Sequence, residues 1–145
     1  MNMTKKEYGD YVKRVSPKSP IVANALKAFL SGGIICCIGQ GFVQMYGALG
    51  MSKQASGTAA SVTLIMLGAL LTGLNVYDNI AKFGGAGTLV PITGFANAVV
   101  APALEFKSEG YVMGMSSKMF IVSGPVIVFG LSASIIYGLI LNLIR

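Results

Sequence analysis

Four stretches without a charged side chain divide this sequence. They lie between Lys27 and Lys53, Lys53 and Asp78, Lys82 and Glu105, and Lys118 and Arg145. Each holds about 22 to 26 residues, close to the roughly 20 that a helix needs to cross hydrocarbon. Four such gaps in 145 residues leave little chain for a water-facing surface. Only 11% of the residues are charged and 54% are hydrophobic, where a soluble domain carries about 25% charged residues. A core of this size cannot absorb that much apolar side chain, so the solvent is lipid. The expectation is an all-α integral membrane protein with about four membrane segments, near residues 28–50, 56–76, 84–104 and 119–143. They form one membrane domain (27–145) behind a basic arm (1–26).

The arm is not built as a signal peptide, because about 25 polar and basic residues precede the first apolar run. "TKKEYGDYVKRV" reads as a helix. Thr4 and Glu7 have the spacing of a capping box, and Pro17 stands where the helix must stop. Tyr8, Tyr11, Val12 and Val15 share one face, with Lys5, Lys6, Lys13 and Arg14 largely elsewhere. Such a basic amphipathic helix either lies on anionic headgroups or forms a solvated tail. Six basic residues, from Lys5 to Lys27, precede the first segment, which places the N-terminus in the cytoplasm by the positive-inside rule. The later loops barely discriminate. If the third segment spans, Lys107 and Lys118 lie outside. If it dips in and returns, they stay inside and Arg145 lies outside.

The segments differ in kind. The second and fourth are mostly smooth apolar helix, with small residues such as Gly68, Gly73, Gly124 and Gly130 where helices can approach. The first and third are interrupted. Gly32, Gly33, Gly39, Gly41, Gly47 and Gly50 punctuate the first, and Gly84, Gly85, Gly87, Pro91, Gly94 and Pro102 the third. A thin pattern links them, Gly41-Phe42-Val43-Gln44 against Gly94-Phe95-Ala96-Asn97. Paired interrupted segments can mark a pathway, but glycine-rich sequences align easily, and chance is the favoured reading of the match. The third segment carries a firmer consequence. Pro91 has no N–H, so it frees a carbonyl one turn earlier, and backbone groups freed in hydrocarbon cost several kcal/mol each unless protein or water satisfies them. This backbone is therefore either a kinked helix sealed by its neighbours or a broken, re-entrant element lining a polar path.

Candidate pathway residues follow. Gln40, Gln44, Asn75, Thr93 and Asn97 are uncharged donors and acceptors at membrane depth, and Pro91 and Gly94 sit at the expected break. Asp78 and Glu105 lie at segment ends, so no acidic residue is placed for a proton relay. An amide- and backbone-lined route suits a solute or hydrated ion; interhelical hydrogen bonding is the plainer use of the same groups. Catalysis finds no support. The chain has no His, Cys36 and Cys37 lie inside an apolar run, and "GGAG" at Gly84–Gly87 lacks the Lys-Ser/Thr of a phosphate loop. No metal site and no cofactor are expected.

Three stretches carry a family resemblance: "NALKAFLSGGIICCIGQ" (Asn24 to Gln40), "GAGTLVPITGFANAVVAPALEFKSEG" (Gly85 to Gly110) and "GPVIVFG" (Gly124 to Gly130). Over nearly its whole length the chain resembles the stage V sporulation protein AC family of spore-forming Firmicutes. A sister family, AE, has a similar core, and the extended basic N-terminus fits AC better. The resemblance implies membership of the SpoVA complex in the inner spore membrane, which moves dipicolinic acid with calcium into the developing spore and releases it at germination. It implies a channel subunit, with tension as a suggested gate. The implied partners are a soluble AD-type subunit that binds dipicolinate and an AE-type membrane subunit, in a homo- or hetero-oligomer. A non-conducting scaffold that docks the soluble subunit is the alternative.

Overall fold

The computed structural model describes residues 4–16 and 19–144. Pro17, Lys18, Arg145 and the side chain of Lys13 lie outside the described residues. Helix α1 (Lys5–Val15) opens with the expected capping box. The Glu7 carboxylate accepts from the Thr4 N–H at 2.8 Å, and the Thr4 hydroxyl accepts from the Glu7 N–H at 3.4 Å. The Thr4 N–H first, and then the Thr4 hydroxyl, which donates to the same carboxylate at 2.9 Å, hold the Glu7 carboxyl below its ordinary pKa. Tyr8, Tyr11, Val12 and Val15 are all exposed, and among the described residues α1 makes no extensive contact with the other helices.

Helices α2 (Ile21–Ala48) and α3 (Lys53–Gly73) form an antiparallel hairpin. Tyr46 and Thr63 hydroxyls meet across it at 2.7 Å. Both helices end in the same way. Gly50 (φ 87°) and Asn75 (φ 58°) take left-handed conformations. The following N–H, of Met51 or Val76, reaches back to the carbonyl of Tyr46 or Leu71, which closes the last turn. The five glycines inside α2 (Gly32, Gly33, Gly39, Gly41 and Gly47) do not break it. Each costs about 1 kcal/mol of helix propensity, but each keeps its N–H, so the hydrogen-bond ladder survives. The pattern shared with the third segment therefore has no counterpart in the fold.

The third segment is broken. Helix α4 (Tyr77–Gly84) stops at Gly85 (φ 51°), a single turn α5 (Ala86–Leu89) follows, and α6 (Ile92–Glu105) starts afresh at Pro91, whose ψ is 164°. A Cβ on Gly68 of α3 would stand 3.1 Å from the Thr93 carbonyl and 3.3 Å from Ala96. One turn on, Thr72 of α3 meets Asn97 of α6 at 2.8 Å. The matched order, 68 with 93 and 72 with 97, makes α6 parallel to α3. The chain therefore enters at the C-terminal end of α3, turns near the depth of Gly68, and returns to the end it came from. The element is re-entrant.

A short turn (Lys107–Glu109) and a π-helical turn (Tyr111–Ser116) lead into α7 (Ser117–Ile144). It begins beside α6, where Lys118 Nζ sits 4.8 Å from the Phe106 ring centroid. Three helical stretches, Ile21–Ala48, Lys53–Gly73 and Tyr111–Ile144, are long and apolar enough to cross a membrane. At 14 residues and about 1.5 Å per residue, α6 is too short to do so. The re-entrant path gathers Lys27, Lys82, Lys107 and Lys118 at the end that α1 leads into, and leaves Lys53 at the other.

Candidate functional site

The break creates the site. Because the helix restarts at Ile92, the Thr88 carbonyl has lost its helical donor. Tyr77, at the head of α4 and 3% exposed, supplies the replacement. Its Oη lies 2.9 Å from the Thr88 carbonyl and 3.0 Å from the Thr93 hydroxyl. One phenolic proton serves one acceptor, so Tyr77 donates to the carbonyl while the Thr93 hydroxyl donates to Tyr77. Ser31 of α2 lies against the other side of the element, its hydroxyl 2.8 Å from the Lys27 carbonyl of its own helix and 3.4 Å from the Gly84 carbonyl. There a Cβ on Gly87 would strike the Ala28 carbonyl. The freed backbone that could not face lipid is thus sealed by hydroxyls and by close packing against α2.

One turn toward the surface the lining becomes polar. The Thr72 hydroxyl lies 2.7 Å from the Gly68 carbonyl and 2.8 Å from the Asn97 side chain. Its single proton cannot serve both. With the Asn97 amide turned to present its nitrogen, Thr72 donates to Gly68 and accepts from Asn97. Asn97 borders two cavities. One, about 470 Å³, is lined by Thr72, Asn75, Asp78, Asn97, Ala101, Leu104 and Glu105. The other, about 250 Å³, is lined by Tyr77, Ala81, Gly85, Thr88, Leu89, Gly94 and Asn97. The first has two carboxylates at its rim. The ion pair of Asp78 with Lys82, at 2.6 Å, is about 70% exposed on both sides and therefore weak.

Of the sequence candidates, Thr93, Gly94 and Asn97 come together here, with Pro91 at the bend and Asn75 at the rim. Asn75 owes its place first to the left-handed stop of α3. Gln40 and Gln44 are exposed on α2, away from both cavities. Lys5, Lys6 and Arg14 are exposed on the free helix α1. Four side chains that build the site escape a reading of the sequence: Ser31, Thr72, Tyr77 and Thr88. Single hydroxyls in apolar helices commonly bond their own carbonyls, as Thr72 also does. The available signal was Pro91 itself, which demands a donor from elsewhere. Among the described residues no cluster of His, Cys, Asp and Glu could hold a metal ion.

A family model described as SpoVAC/SpoVAEB sporulation membrane protein matches residues 24–140. The chain is 48% identical over 141 residues to Stage V sporulation protein AC of Bacillus subtilis (strain 168), which covers 97% of this chain and 94% of that protein. No solved structure matches.

Proposed function

The chain belongs to the SpoVAC/SpoVAEB family of sporulation membrane proteins, and from that premise we propose that it is a channel subunit passing dipicolinate with calcium across the inner membrane of the developing spore. The observation that carries this reading is the position of Asn97 between two cavities inside a re-entrant element. Dipicolinate is a planar dicarboxylate, and its calcium chelate is closer to neutral while keeping oxygens outward. The carboxylates of Asp78 and Glu105 at the outer cavity disfavour a free dianion and tolerate the chelate. Asn97, Thr72 and the uncapped start of α6 offer hydrogen bonds and a positive dipole end to those oxygens. None of these groups is a fixed positive charge that would trap the solute, and a conducting site has to release what it binds. The chain moves a solute and catalyses no reaction. Because the re-entrant element reaches only part of the depth of α3, the route is completed by further copies or by an AE-type partner. The clustering of Lys27, Lys82, Lys107 and Lys118 at one end supports a cytosolic side for that end and for the N-terminus.

The free helix α1 favours a second role beside the first. Its exposed Tyr8, Tyr11, Val12 and Val15, with Lys5, Lys6 and Arg14 around them, suit anionic lipid or docking of a soluble AD-type subunit. Reconstitution in liposomes loaded with calcium dipicolinate, alone and with AE-type and AD-type proteins, tests the proposal. Efflux that depends on this chain is expected, and removing residues 1–15 should leave it intact. Absence of efflux from correctly inserted protein in every combination would leave the scaffold reading standing.

A further inference from the structure

Helix α2 has one side with partners and one without. Ser31 and Tyr46 bond across to Gly84 and Thr63, and Gly32 and Gly39 sit against Gly87 and Leu64. At about 100° per residue, Gly33, Cys37, Gln40 and Gln44 fall within about 60° of arc on the opposite side. All four are exposed, and a Cβ on Gly33 or on neighbouring Gly41 would meet nothing within 4 Å. In water an exposed glutamine is satisfied by solvent. Gln40 lies well inside a helix long and apolar enough to cross a membrane, where lipid tails can neither donate to an amide nor accept from it.

We propose that this face is the seam between two copies of the chain, packed α2 against α2 in parallel, with the Gln40 amides hydrogen-bonded to each other and Gln44 continuing the contact. The occupant follows from three observations. A primary amide carries both donor and acceptor, so it is complementary to itself. Copies inserted in the same orientation bring α2 to α2 in parallel, which sets Gln40 opposite Gln40 at one depth. Gly33 and Gly41 leave room for the close approach that interhelical hydrogen bonds need. The other unpartnered helix offers less. From Val126 to Ile144, α7 is exposed throughout, but the polar side chains in its middle are Ser132, Ser134 and Tyr137, with Ser134 already bonded to the Gly130 carbonyl, and its one amide, Asn142, stands two residues from the helix end at Ile144, where water can satisfy it. The proposal gives Gln40 and Gln44 a role outside the cavities at Asn97 and supplies one of the contacts a multi-copy route requires.

The native cysteines make the test direct. In the full-length protein in membranes, with Cys36 and Cys37 replaced, single cysteines are placed at each position from 36 to 44 and oxidised. Disulfides form only where Cβ atoms come within about 4.5 Å. Maxima at 37 and 44, with minima at 38 and 42, are expected, and position 40, where the cysteine itself removes the amide, should cross-link less than 37. Adding Gln40→Leu to the position-37 variant should lower its cross-linking several-fold. That substitution suits a lipid-facing helix, so insertion is retained. A flat profile, maxima on the Ser31 face, or cross-linking indifferent to Gln40→Leu overturns the seam. Cross-linking that appears only with a different membrane subunit present overturns the choice of a second copy.

Discussion

The hydroxyl of Tyr77 is one oxygen atom, yet the re-entrant turn rests on it. Tyr77→Phe leaves the ring in its buried site and removes the donor to the Thr88 carbonyl at 2.9 Å and the partner of Thr93 at 3.0 Å. Two magnitudes bracket the loss. Side-chain hydrogen bonds between membrane helices average about 0.6 kcal/mol and reach about 1.7. A buried polar group left without any partner costs about 1–3 kcal/mol. The second figure applies more closely, because the restart of the helix at Ile92 has already left the Thr88 carbonyl without its helical donor. We expect a loss of about 1–2 kcal/mol, roughly 5- to 30-fold in the folded/unfolded ratio. Reversible unfolding in mixed micelles or steric trapping in bicelles measures it. A double-mutant cycle with Thr93→Val should show coupling of about 0.5–1.5 kcal/mol, since the two hydroxyls bond each other. A Tyr77→Phe protein within about 0.3 kcal/mol of the parent, or strict additivity in the cycle, would refute the reasoning, because non-coupled sites add within about that margin.

Three further outcomes follow from the same geometry. Gly87→Ala drives a methyl into the Ala28 backbone and should cost about 1–3 kcal/mol as overpacking does; Gly57→Ala in α3, which meets nothing within 4 Å, should cost nothing, and equal stability of the two in unfolding measurements would contradict the packing. Glu7 titrates below its ordinary value of 4.5 because the folded arm binds its charged form, so its support for α1 is present above that value and is lost as pH falls through the depressed pKa. Amide exchange at the start of α1 should accelerate in that acid window, and Glu7→Gln should flatten the response. Single cysteines at Ser16 and Ser108 should be labelled from one side of the membrane and a cysteine at Ser52 from the other; labelling of positions 16 and 108 from opposite sides would mean that the third segment spans.

The membrane class and the capping box of α1 were legible because each depends on local sequence: charge spacing for the first, and a Thr-x-x-Glu for the second. The break at Pro91 was legible for the same reason, since a missing N–H is a property of one residue. The direction of the chain after the break was not. A span and a re-entrant element contain the same residues, and the difference lies in Gly68 meeting Thr93 while Thr72 meets Asn97, two contacts across 25 positions. The glycines of α2 misled in the opposite sense. They resemble those of the third segment in number, but without a proline the ladder closes over them. Of the residues now seen around the break, Thr93 and Asn97 were singled out by hydroxyl and amide content and Gly94 by its place beside Pro91. Tyr77, Thr72 and Ser31 were missed because their function is to satisfy backbone made available elsewhere in the chain, and no spacing rule records that.

Whether Asn97 serves the solute or only the fold can be decided by comparing it with its own partner. Thr72→Val and Asn97→Leu each abolish the 2.8 Å contact between α3 and α6. As an interhelical bond that contact is worth about 0.6 kcal/mol from either side, so the two proteins should insert equally well and differ little in stability. They differ in what remains at the junction. Thr72→Val keeps the Asn97 amide between the two cavities and frees its second donor. Asn97→Leu places an isobutyl group where the outer and inner cavities meet. If a carboxylate oxygen of the solute hydrogen-bonds there during passage, losing about 1.4 kcal/mol of that interaction slows transit about tenfold. Efflux of calcium dipicolinate per inserted molecule should therefore fall about tenfold in Asn97→Leu and stay within about threefold of the parent in Thr72→Val, the margin set by a bond worth about 0.6 kcal/mol. Equal efflux in both proteins would reduce Asn97 to a packing residue. An equal loss in both would place the requirement in the α3–α6 contact, and the route would then depend on how the re-entrant element is held and not on what lines it.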